Sequence, residues 1–273
     1  MSAASDRDLH ADPLGAAPQP LDRAAAEKLP HEVEHLEALE RMRGLEPYYR
    51  WVLELFERLS GGPVGRRVLD AGCGIGNFVE LLRGRADEVL AVDLSPRNIA
   101  VLRERFRCAA NVEVMQTDLD AERAALRARA LDAIVCLDVL EHLDDDAGLV
   151  RAFFDILPAG GQLFIKVPAH QWLFGTLDEA SDHRRRYSKR ALVALVRAAG
   201  FEVRAACYMN LVGVAPYFVK GRVLRRRSTL SNSFSASQLA WIRRSIGVFR
   251  VVDRVTGPFV GQSVVLVARR PAI

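Results

Sequence analysis

Glycines and an acidic residue cluster where a short apolar segment ends, in VLDAGCGIGNF at residues 68–78. Gly72, Gly74 and Gly76 let the backbone approach a ligand where any side chain would clash. The dinucleotide-binding pattern G-x-G-x-x-G is not met, because the third glycine falls one residue early. The carboxylate of Asp70 repels a pyrophosphate but attracts a sulfonium or an ammonium group. The turn therefore indicates a cationic ligand.

Two further carboxylates follow the next two apolar segments. Asp93, in VLAVDLS, is suited to accept both hydroxyls of a ribose, a device that dinucleotide enzymes share. Asp118, in QTDLD, is suited to accept a hydrogen bond from an adenine amino group. A fourth apolar run ends in CLDVLEHL, residues 136–143. Together these features indicate a ligand that contains adenosine.

The elements that position these residues are short apolar runs alternating with helical patterns. Such alternation predicts a parallel sheet covered by helices on both faces, and a nearly continuous run such as LDAIVCL fits a strand buried on both sides. The expected strands are 67–69, 88–92, 112–115, 131–137, 162–167, 201–208 and 262–268. The expected helices among them are 77–83, 96–106, 147–157 and 189–199, the last with Ser188 as its N-cap.

These features, in this order and spacing, resemble the class I S-adenosylmethionine-dependent methyltransferases over residues 66–208. The resemblance implies an α/β fold: a Rossmann-like, doubly wound sheet of seven strands, mostly parallel with an antiparallel last strand. It implies S-adenosyl-L-methionine as cofactor and S-adenosyl-L-homocysteine as product. The Gly72 region would hold the methionyl part, Asp93 the ribose, and Asp118 with Leu119 the adenine. The implied cofactor-binding set is Asp70, Gly72, Cys73, Gly74, Gly76, Asp93, Leu94, Asp118, Leu119, Leu137 and His142.

The acceptor residues are expected after the fourth and fifth strands, in VPAHQWLFGTLDEASDHRRRYS at residues 167–188. This segment resembles a bacterial subgroup of the same methyltransferases with a VPA…LF…D…H-x-R-R-Y pattern. Asp182 stands where that subgroup usually carries glycine. The subgroup accompanies glycan and lipid pathways, so the resemblance gives a site and not a substrate. The matching residues are His183, Arg185, Arg186 and Tyr187, with Asp178 upstream.

Three histidines are candidate general bases for a hydroxyl or ammonium acceptor: His183, which is favoured, His170 and His142. Tyr187 joins His183 and His170 in the expected catalytic set. Structural uses stay open, since His142 suits a position near the cofactor, His170 a solvated loop and His183 a charged surface turn.

A separate set is expected to contact the acceptor. Tyr48 and Tyr49, placed before a second N-terminal helix at 51–59, either close over the acceptor or pack in the core. Of the two arginines, one is expected to bind an anionic acceptor and the other to pair with an acidic residue at 178 or 179. The expected substrate-binding set is Tyr48, Tyr49, Asp178, Arg185 and Arg186.

Residues 209–261 depart from the alternation. An apolar run there meets a basic cluster, and apolar residues then recur in three- and four-residue steps. Core-facing helices are the commonest explanation, and a contact with an anionic bilayer surface through 211–255, a lid and a homodimer interface stay open. The expected stripe is Leu239, Ile242, Ile246, Phe249, Val252 and Val255. The expected organisation is a disordered tail (1–30), N-terminal helices (31–60), a methyltransferase core (61–208), a helical insertion (209–261) and the last core strand (262–273).

The net charge, the cysteines and the N-terminal pattern limit the classes of protein that fit this sequence. The formal net charge of +4 is too small to imply nucleic acid, and four scattered cysteines without a C-x-x-C pair suggest no metal site and a reducing cytoplasm. The N-terminus lacks a signal-peptide pattern. The expected function is methyl transfer to an oxygen or nitrogen of a small-molecule, natural-product or lipid-like acceptor. An RNA or protein methyltransferase and a non-catalytic S-adenosylmethionine-binding module are the alternatives.

Overall fold

The computed structural model describes residues 36–228, 235–257 and 259–272. Seven strands form one sheet in the order β3-β2-β1-β4-β5-β7-β6. Strands β1 to β5 pair in parallel, whereas β7 runs antiparallel to both of its neighbours. The strands are β1 (Arg67–Ala71), β2 (Glu88–Asp93), β3 (Val112–Gln116), β4 (Ala133–Leu137), β5 (Gln162–Pro168), β6 (Glu202–Met209) and β7 (Ser263–Arg269).

Helices cover both faces of this sheet. Several begin where local chemistry satisfies the first backbone N–H groups, as at Ser95 and Ser188, whose side chains accept from a backbone N–H three residues on. The helices are α1 (described over 36–43), α2 (Glu46–Ser60), α3 (Val79–Leu82), α4 (Pro96–Arg105), α5 (Arg123–Ala128), α6 (Asp146–Ile156), α7 (Thr176–Glu179), α8 (Lys189–Ala198), α9 (Val214–Phe218) and α10 (Ala236–Thr256). Short 3-10 turns span Leu140–His142, Gln171–Leu173 and Leu211–Gly213, and a π-helical turn, Val219–Val223, continues α9.

Two apolar layers sandwich the sheet. Val68 belongs to a layer with side chains from α2, α3, α4 and α10, whereas its neighbour Leu69 belongs to the opposite layer with α5, α6 and α8. Because successive strand residues point to opposite faces, both neighbours must be apolar. This is why the strands are nearly continuous apolar runs. The predicted fold class, a doubly wound seven-stranded sheet with an antiparallel last strand, is confirmed.

The structure differs from the sequence expectations in some local details. The second helix begins at Glu46, so Tyr48 and Tyr49 lie in its first turns and not before it. Pro47 fits there because the first turn of a helix needs no backbone N–H from it. Helix α3 is shorter than expected, and α5 and α7 were missed because neither is long enough to show a helical period.

The described residues between β6 and β7 are largely helical, as expected. Ile246 and Phe249 on α10 are buried in the layer beside α2, whereas Val255, the last member of the expected stripe, is 74% exposed. No helix among the residues in the described ranges is long and apolar enough to cross a membrane. The expected tail at 1–30 lies outside the described residues, and the other domain boundaries stay predictions.

Candidate active site

The glycine turn follows β1 at the carboxyl edge of the sheet. Gly72 and Gly74 have φ angles of 71° and 57°, in the left-handed region that side chains disfavour. A Cβ on Gly72 would lie 2.5 Å from a methyl carbon of Val139. The backbone N–H groups of Gly72 and Cys73 both donate to the carbonyl of Val92 at 2.9 Å, which ties the turn to β2. The turn is therefore a fixed cradle that only glycine can form.

Asp70 lies buried beneath this cradle with an incomplete set of partners. Its side chain is 2% exposed, and Oδ2 has no hydrogen-bond partner among the described residues. Burial, together with the nearby charge of Asp93, raises the pKa of Asp70 to about 7. A buried oxygen without a hydrogen-bond partner destabilises the protein, and a donor group of a ligand would remove this penalty. The ammonium group of a methionyl ligand fits this requirement.

Asp93, at the end of β2, orders both the turn and the start of α4. Its Oδ2 accepts from the backbone N–H of Gly74 at 2.8 Å, and its Oδ1 accepts from Ser95 N and Asn98 Nδ2 at 2.8 and 3.1 Å. A carboxylate offers about four lone-pair positions, so it still has capacity for a ribose hydroxyl. The side chain is thus held rigidly by three hydrogen bonds within the protein.

The residues expected around an adenine lie beside this point. Leu94 is 64% exposed. Asp118 is exposed, with Oδ1 accepting from the backbone N–H of Asp120 at 2.8 Å, whereas Leu119 is buried. Leu137, at the end of β4, is half-buried. These side chains leave an apolar surface with one acidic group at its edge.

Helix α1 packs over the glycine turn, a contact that sequence reasoning missed. Asn77 Nδ2 donates to the carbonyl of Leu39 at 2.9 Å. A methyl carbon of Leu39 lies 3.2 Å from where a Cβ on Gly74 would be. The available signal was Asn77, which stands in the turn where a small apolar residue would suffice.

His183 is held by a buried carboxylate. Its Nδ1 lies 2.9 Å from Asp178 Oδ1, which also accepts from Arg186 Nε at 2.7 Å. Burial opposes ionisation of Asp178, but the hydrogen bond from His183 and the charge of Arg186 hold its pKa below the ordinary value. Asp178 therefore accepts from Nδ1, so Nε2 is the nitrogen that the neutral imidazole would offer as an acceptor. Asp182 has a φ of 54°, which accounts for the glycine that the resembling subgroup carries there.

The 3-10 turn after β4 brings Glu141 and His142 to the same place. The Glu141 side chain is fully buried, and neither carboxylate oxygen has a hydrogen-bond partner within the described ranges. One of these oxygens lies 4.0 Å from His183 Nε2, and the rings of His142 and His183 meet edge to face with centroids 4.8 Å apart. Burial, followed by the charge of Asp138, raises the pKa of Glu141 well above its ordinary value.

Three other expected site residues are engaged within the protein. The Tyr187 hydroxyl is buried and donates to Asp146 Oδ2 at 2.7 Å, and burial with this bond raises its pKa. Arg185 donates to the carbonyl of Leu143 at 2.9 Å and pairs with Asp146 at 3.3 Å. Arg186 is buried and donates to Asp178, so it fills the expected role of pairing with an acidic residue, and the contact of Arg185 with an anionic acceptor stays a prediction.

His170 occupies a strained position at the end of β5. Its φ is 63°, its ring stacks on Tyr208 at 4.6 Å, and its Nε2 is buried without a hydrogen-bond partner in the described structure. Burial, together with the charge of Arg186, lowers the pKa of His170. The ring lies beside the loop that carries His183.

A charged pair in the middle of the edge was not expected. Lys166 on β5 is buried, and its Nζ donates to Asp138 Oδ1 at 2.7 Å. Burial alone would lower the pKa of Lys166, but Asp138, Tyr48 and Glu141 together outweigh it and the net shift is upward. The ammonium lies 5.7 Å from the ring centroid of Tyr48, and burial raises the pKa of both Tyr48 and Tyr49. The signal was a lysine inside the apolar strand QLFIKVP.

The strand order, the glycine turn and the carboxylate after β2 define a class I methyltransferase fold. A methyltransferase-domain family matches residues 39–206, more than half of the chain. The chain therefore belongs to the S-adenosylmethionine-dependent methyltransferase family, and the prediction made from its motifs is confirmed.

Three individual proteins illustrate the similarity. A ubiquinone biosynthesis O-methyltransferase of Acinetobacter baylyi (strain ATCC 33305 / BD413 / ADP1) is 32% identical over 41% of this chain and 48% of its own length. One of Xanthomonas axonopodis pv. citri (strain 306) is 30% identical over 52% and 64%. The chain thus spans less than two thirds of either relative. The solved phosphoethanolamine N-methyltransferase 2 of Haemonchus contortus, in complex with S-adenosyl-L-methionine, has a TM-score of 0.54 at 18% identity, covering 81% of this chain and 52% of that one.

Proposed function

We propose that this protein transfers the methyl group of S-adenosylmethionine to a hydroxyl oxygen of a small, lipid-like acceptor. One observation carries the proposal: the acidic glycine turn and the His183–Asp178 pair lie at carboxyl ends of strands of one parallel sheet. Ligands of open α/β sheets bind along that edge. Family membership supports the donor, and the names of the two ubiquinone-pathway relatives favour oxygen over nitrogen.

Four residues of the described structure are assigned to binding the methyl donor. Asp70 Oδ2 binds the methionyl ammonium, because it is buried and otherwise lacks a partner. Asp93 binds the ribose hydroxyls, and Asp118 accepts from the adenine amino group. Leu94 packs against the adenine, which explains why so large an apolar side chain is exposed.

In the acceptor half of the site, the acceptor oxygen must be aligned with the methyl group, and the hydroxyl proton must be taken up by a base. S-adenosylmethionine supplies a methyl group already activated by the sulfonium, so alignment of the acceptor oxygen carries most of the barrier reduction, ~7–11 kcal/mol. His183 Nε2 accepts the hydroxyl proton or a hydrogen bond from it, and the ionised Asp178 stabilises the resulting imidazolium. A general base of this kind contributes ~10²–10⁴-fold.

Methyl transfer from labelled donor tests the function. The wild-type protein and Asp93→Ala are incubated with bacterial extract fractions, and label is measured in organic-soluble, RNA and protein material. Organic-soluble label that needs the wild-type protein supports the proposal. Label in RNA or protein supports the macromolecular alternatives, and donor binding without any turnover supports a non-catalytic module.

A lipid-like acceptor is favoured by the surface beside the acceptor loop. This surface contains exposed apolar side chains and four exposed arginines, at 222, 225, 226 and 227. The surface joins the acceptor loop, because Arg222 Nη1 donates to the carbonyl of Phe174 at 3.1 Å and the Arg186 guanidinium lies 4.1 Å from the ring centroid of Tyr217. We call it the apolar–basic surface: Trp172, Phe218, Val219, Val223 and Leu224 with Arg222, Arg225, Arg226 and Arg227.

We propose that the apolar–basic surface rests on an anionic bilayer, where each arginine contributes about 1 kcal/mol. Flotation with vesicles that contain phosphatidylglycerol should retain the protein, and neutral phosphatidylcholine vesicles should not. The double variant Arg225→Glu/Arg226→Glu should lose binding, whereas Arg103→Glu on α4 should keep it. If the protein binds neither kind of vesicle and light scattering gives the mass of a dimer, this surface is instead a homodimer contact. A cytoplasmic location belongs to the same proposal and is tested by fractionation of cells.

A further inference from the structure

We propose that Glu141, His142 and His183 form a binding site for a divalent cation of the zinc type. One ligand atom from each residue lies within 4.8 Å of the others. Two ligands of a tetrahedral zinc ion, each at about 2.1 Å from the metal, are roughly 3.4 Å apart. The 4.0 Å between Glu141 Oε1 and His183 Nε2 is therefore a spacing that a small side-chain movement closes.

The main evidence for a bound cation is the carboxylate of Glu141, which lacks hydrogen-bond donors. Glu141 is fully buried, yet both of its oxygens lack a hydrogen-bond partner in the part of the chain described. Leaving a buried acidic group in this condition is unfavourable in either protonation state. A cation bound between this carboxylate and two imidazoles removes the cost, because the metal takes the place of the missing donors.

The surroundings of His183 have the form that metal-bound histidines usually have. Its Nδ1 donates to the buried Asp178, which Arg186 and the backbone N–H of Gly175 hold in place at 2.7 and 3.0 Å. A carboxylate on one imidazole nitrogen fixes the tautomer, orients the ring and makes the other nitrogen a better ligand. That other nitrogen, Nε2, faces Glu141.

The donor set also indicates the kind of ion and its use. Two imidazoles and one carboxylate are a set that catalytic zinc sites use, with a fourth position open to water or substrate, whereas Mg²⁺ prefers oxygen ligands. The site lies beside the ends of β4 and β5, so this inference rests on the proposed function in one respect: the open position would hold the acceptor oxygen. With the ion bound, His183 is a ligand and not the base.

The primary test is a metal titration of the full-length protein after chelator treatment and dialysis. Co²⁺ should bind at one equivalent and give the visible absorption of a tetrahedral site, and one equivalent of Zn²⁺ should abolish that absorption. Glu141→Gln and His142→Gln should each weaken Zn²⁺ binding at least tenfold. Asp178→Asn, which acts through His183, should weaken it by ~10–100-fold.

The controls separate this site from the other histidines. His170→Gln alters a nearby imidazole outside the cluster and should bind Zn²⁺ like the wild-type protein. Thermal unfolding in chelator identifies any variant that does not fold, and His142→Gln, at a half-exposed position, is the mildest of them. Binding that is absent in the wild-type protein, or unchanged in both Glu141→Gln and His142→Gln, overturns the inference. The second result would point to the remaining histidines, His10, His31 and His35.

Methyl transfer measured with and without chelator separates this inference from the proposed function. Transfer that chelator does not reduce, together with no Co²⁺ spectrum, removes the cation site and leaves His183 as the base. A Co²⁺ spectrum that depends on Glu141, without methyl transfer to any extract fraction, keeps the cation site and removes the proposed function. Transfer that chelator abolishes and Zn²⁺ restores supports both.

Discussion

The buried carboxylate of Asp70 should make donor binding depend on pH around neutrality. Its pKa is about 7 in the free protein, raised by burial and then by Asp93. A cationic ammonium binds the ionised form, so binding strengthens as pH rises through 7 and weakens as pH falls below it. About 9% of the carboxyls are ionised at pH 6 and about 76% at pH 7.5, which makes the affinity roughly eightfold higher at pH 7.5.

Isothermal titration calorimetry with S-adenosylmethionine and with S-adenosylhomocysteine measures this effect. Both carry the ammonium and only the first carries the sulfonium, so an equal slope for both assigns the effect to the ammonium. Titrations in two buffers of different ionisation enthalpy should show close to one proton released at pH 6 and a small fraction at pH 7.5.

Asp70→Asn is the decisive variant for this prediction. It keeps the shape of the side chain but removes the titrating group, so its affinity should be flat across the window. At pH 7.5 its affinity should be lower by about tenfold or more, because a hydrogen bond to a charged group contributes ~1.5–3 kcal/mol. Asp87→Asn, an exposed carboxylate paired with Arg66, should behave like the wild-type protein. A wild-type slope that persists in Asp70→Asn would show that another group titrates, and the assignment of Asp70 to the ammonium would then be wrong.

Three further predictions concern single residues of the site. Asp93→Ala should weaken donor binding by about tenfold or more in calorimetry, since the ribose contact and the bond that holds Gly74 are both lost; unchanged affinity would contradict the ribose assignment. Gly74→Val should lose donor binding and also lower the melting temperature, because valine is strained at a φ of 57°; normal binding would exclude the turn as the donor site. His183→Ala should lower kcat by ~10²-fold with donor affinity intact, whereas Tyr187→Phe should lower the free energy of unfolding by about 1–3 kcal/mol and leave kcat nearly unchanged, because its hydroxyl is buried on Asp146; the reverse pattern would make Tyr187 the catalytic group.

The fold could be predicted from the sequence, and the residues proposed to bind the donor could be selected there, because the determinants of both are local. An apolar run of five or six residues predicts a buried strand wherever it lies, and the glycine turn follows β1 without help from distant residues. The carboxylates Asp70, Asp93 and Asp118 each stand at or just beyond the end of such a run. Chain order alone therefore brings them to one edge of a parallel sheet.

The acceptor half of the site is formed by contacts between residues far apart in the sequence. The sequence alone therefore left several roles open for each of these residues. Nothing in the pattern assigns Arg186 to Asp178 and Arg185 to Asp146, since the two arginines are adjacent in one basic run. Burial separates them, because Arg186 is enclosed under Tyr217 of α9 whereas Arg185 stays near the surface. Low-dielectric surroundings decide which pair forms, and burial is not a local property.

The sheet, its strand types and the glycine turn with its acidic residues can be predicted from the sequence, because a few adjacent residues specify each of them. The contacts of Glu141 with His183, of Lys166 with Asp138 and of Leu39 with Gly74 depend on how the whole chain folds. Each of these contacts joins residues tens of positions apart, through loops whose paths follow from packing. The physical reason is that local preferences fix backbone conformation, whereas the partners of a buried charge are fixed by whatever the folded chain places around it.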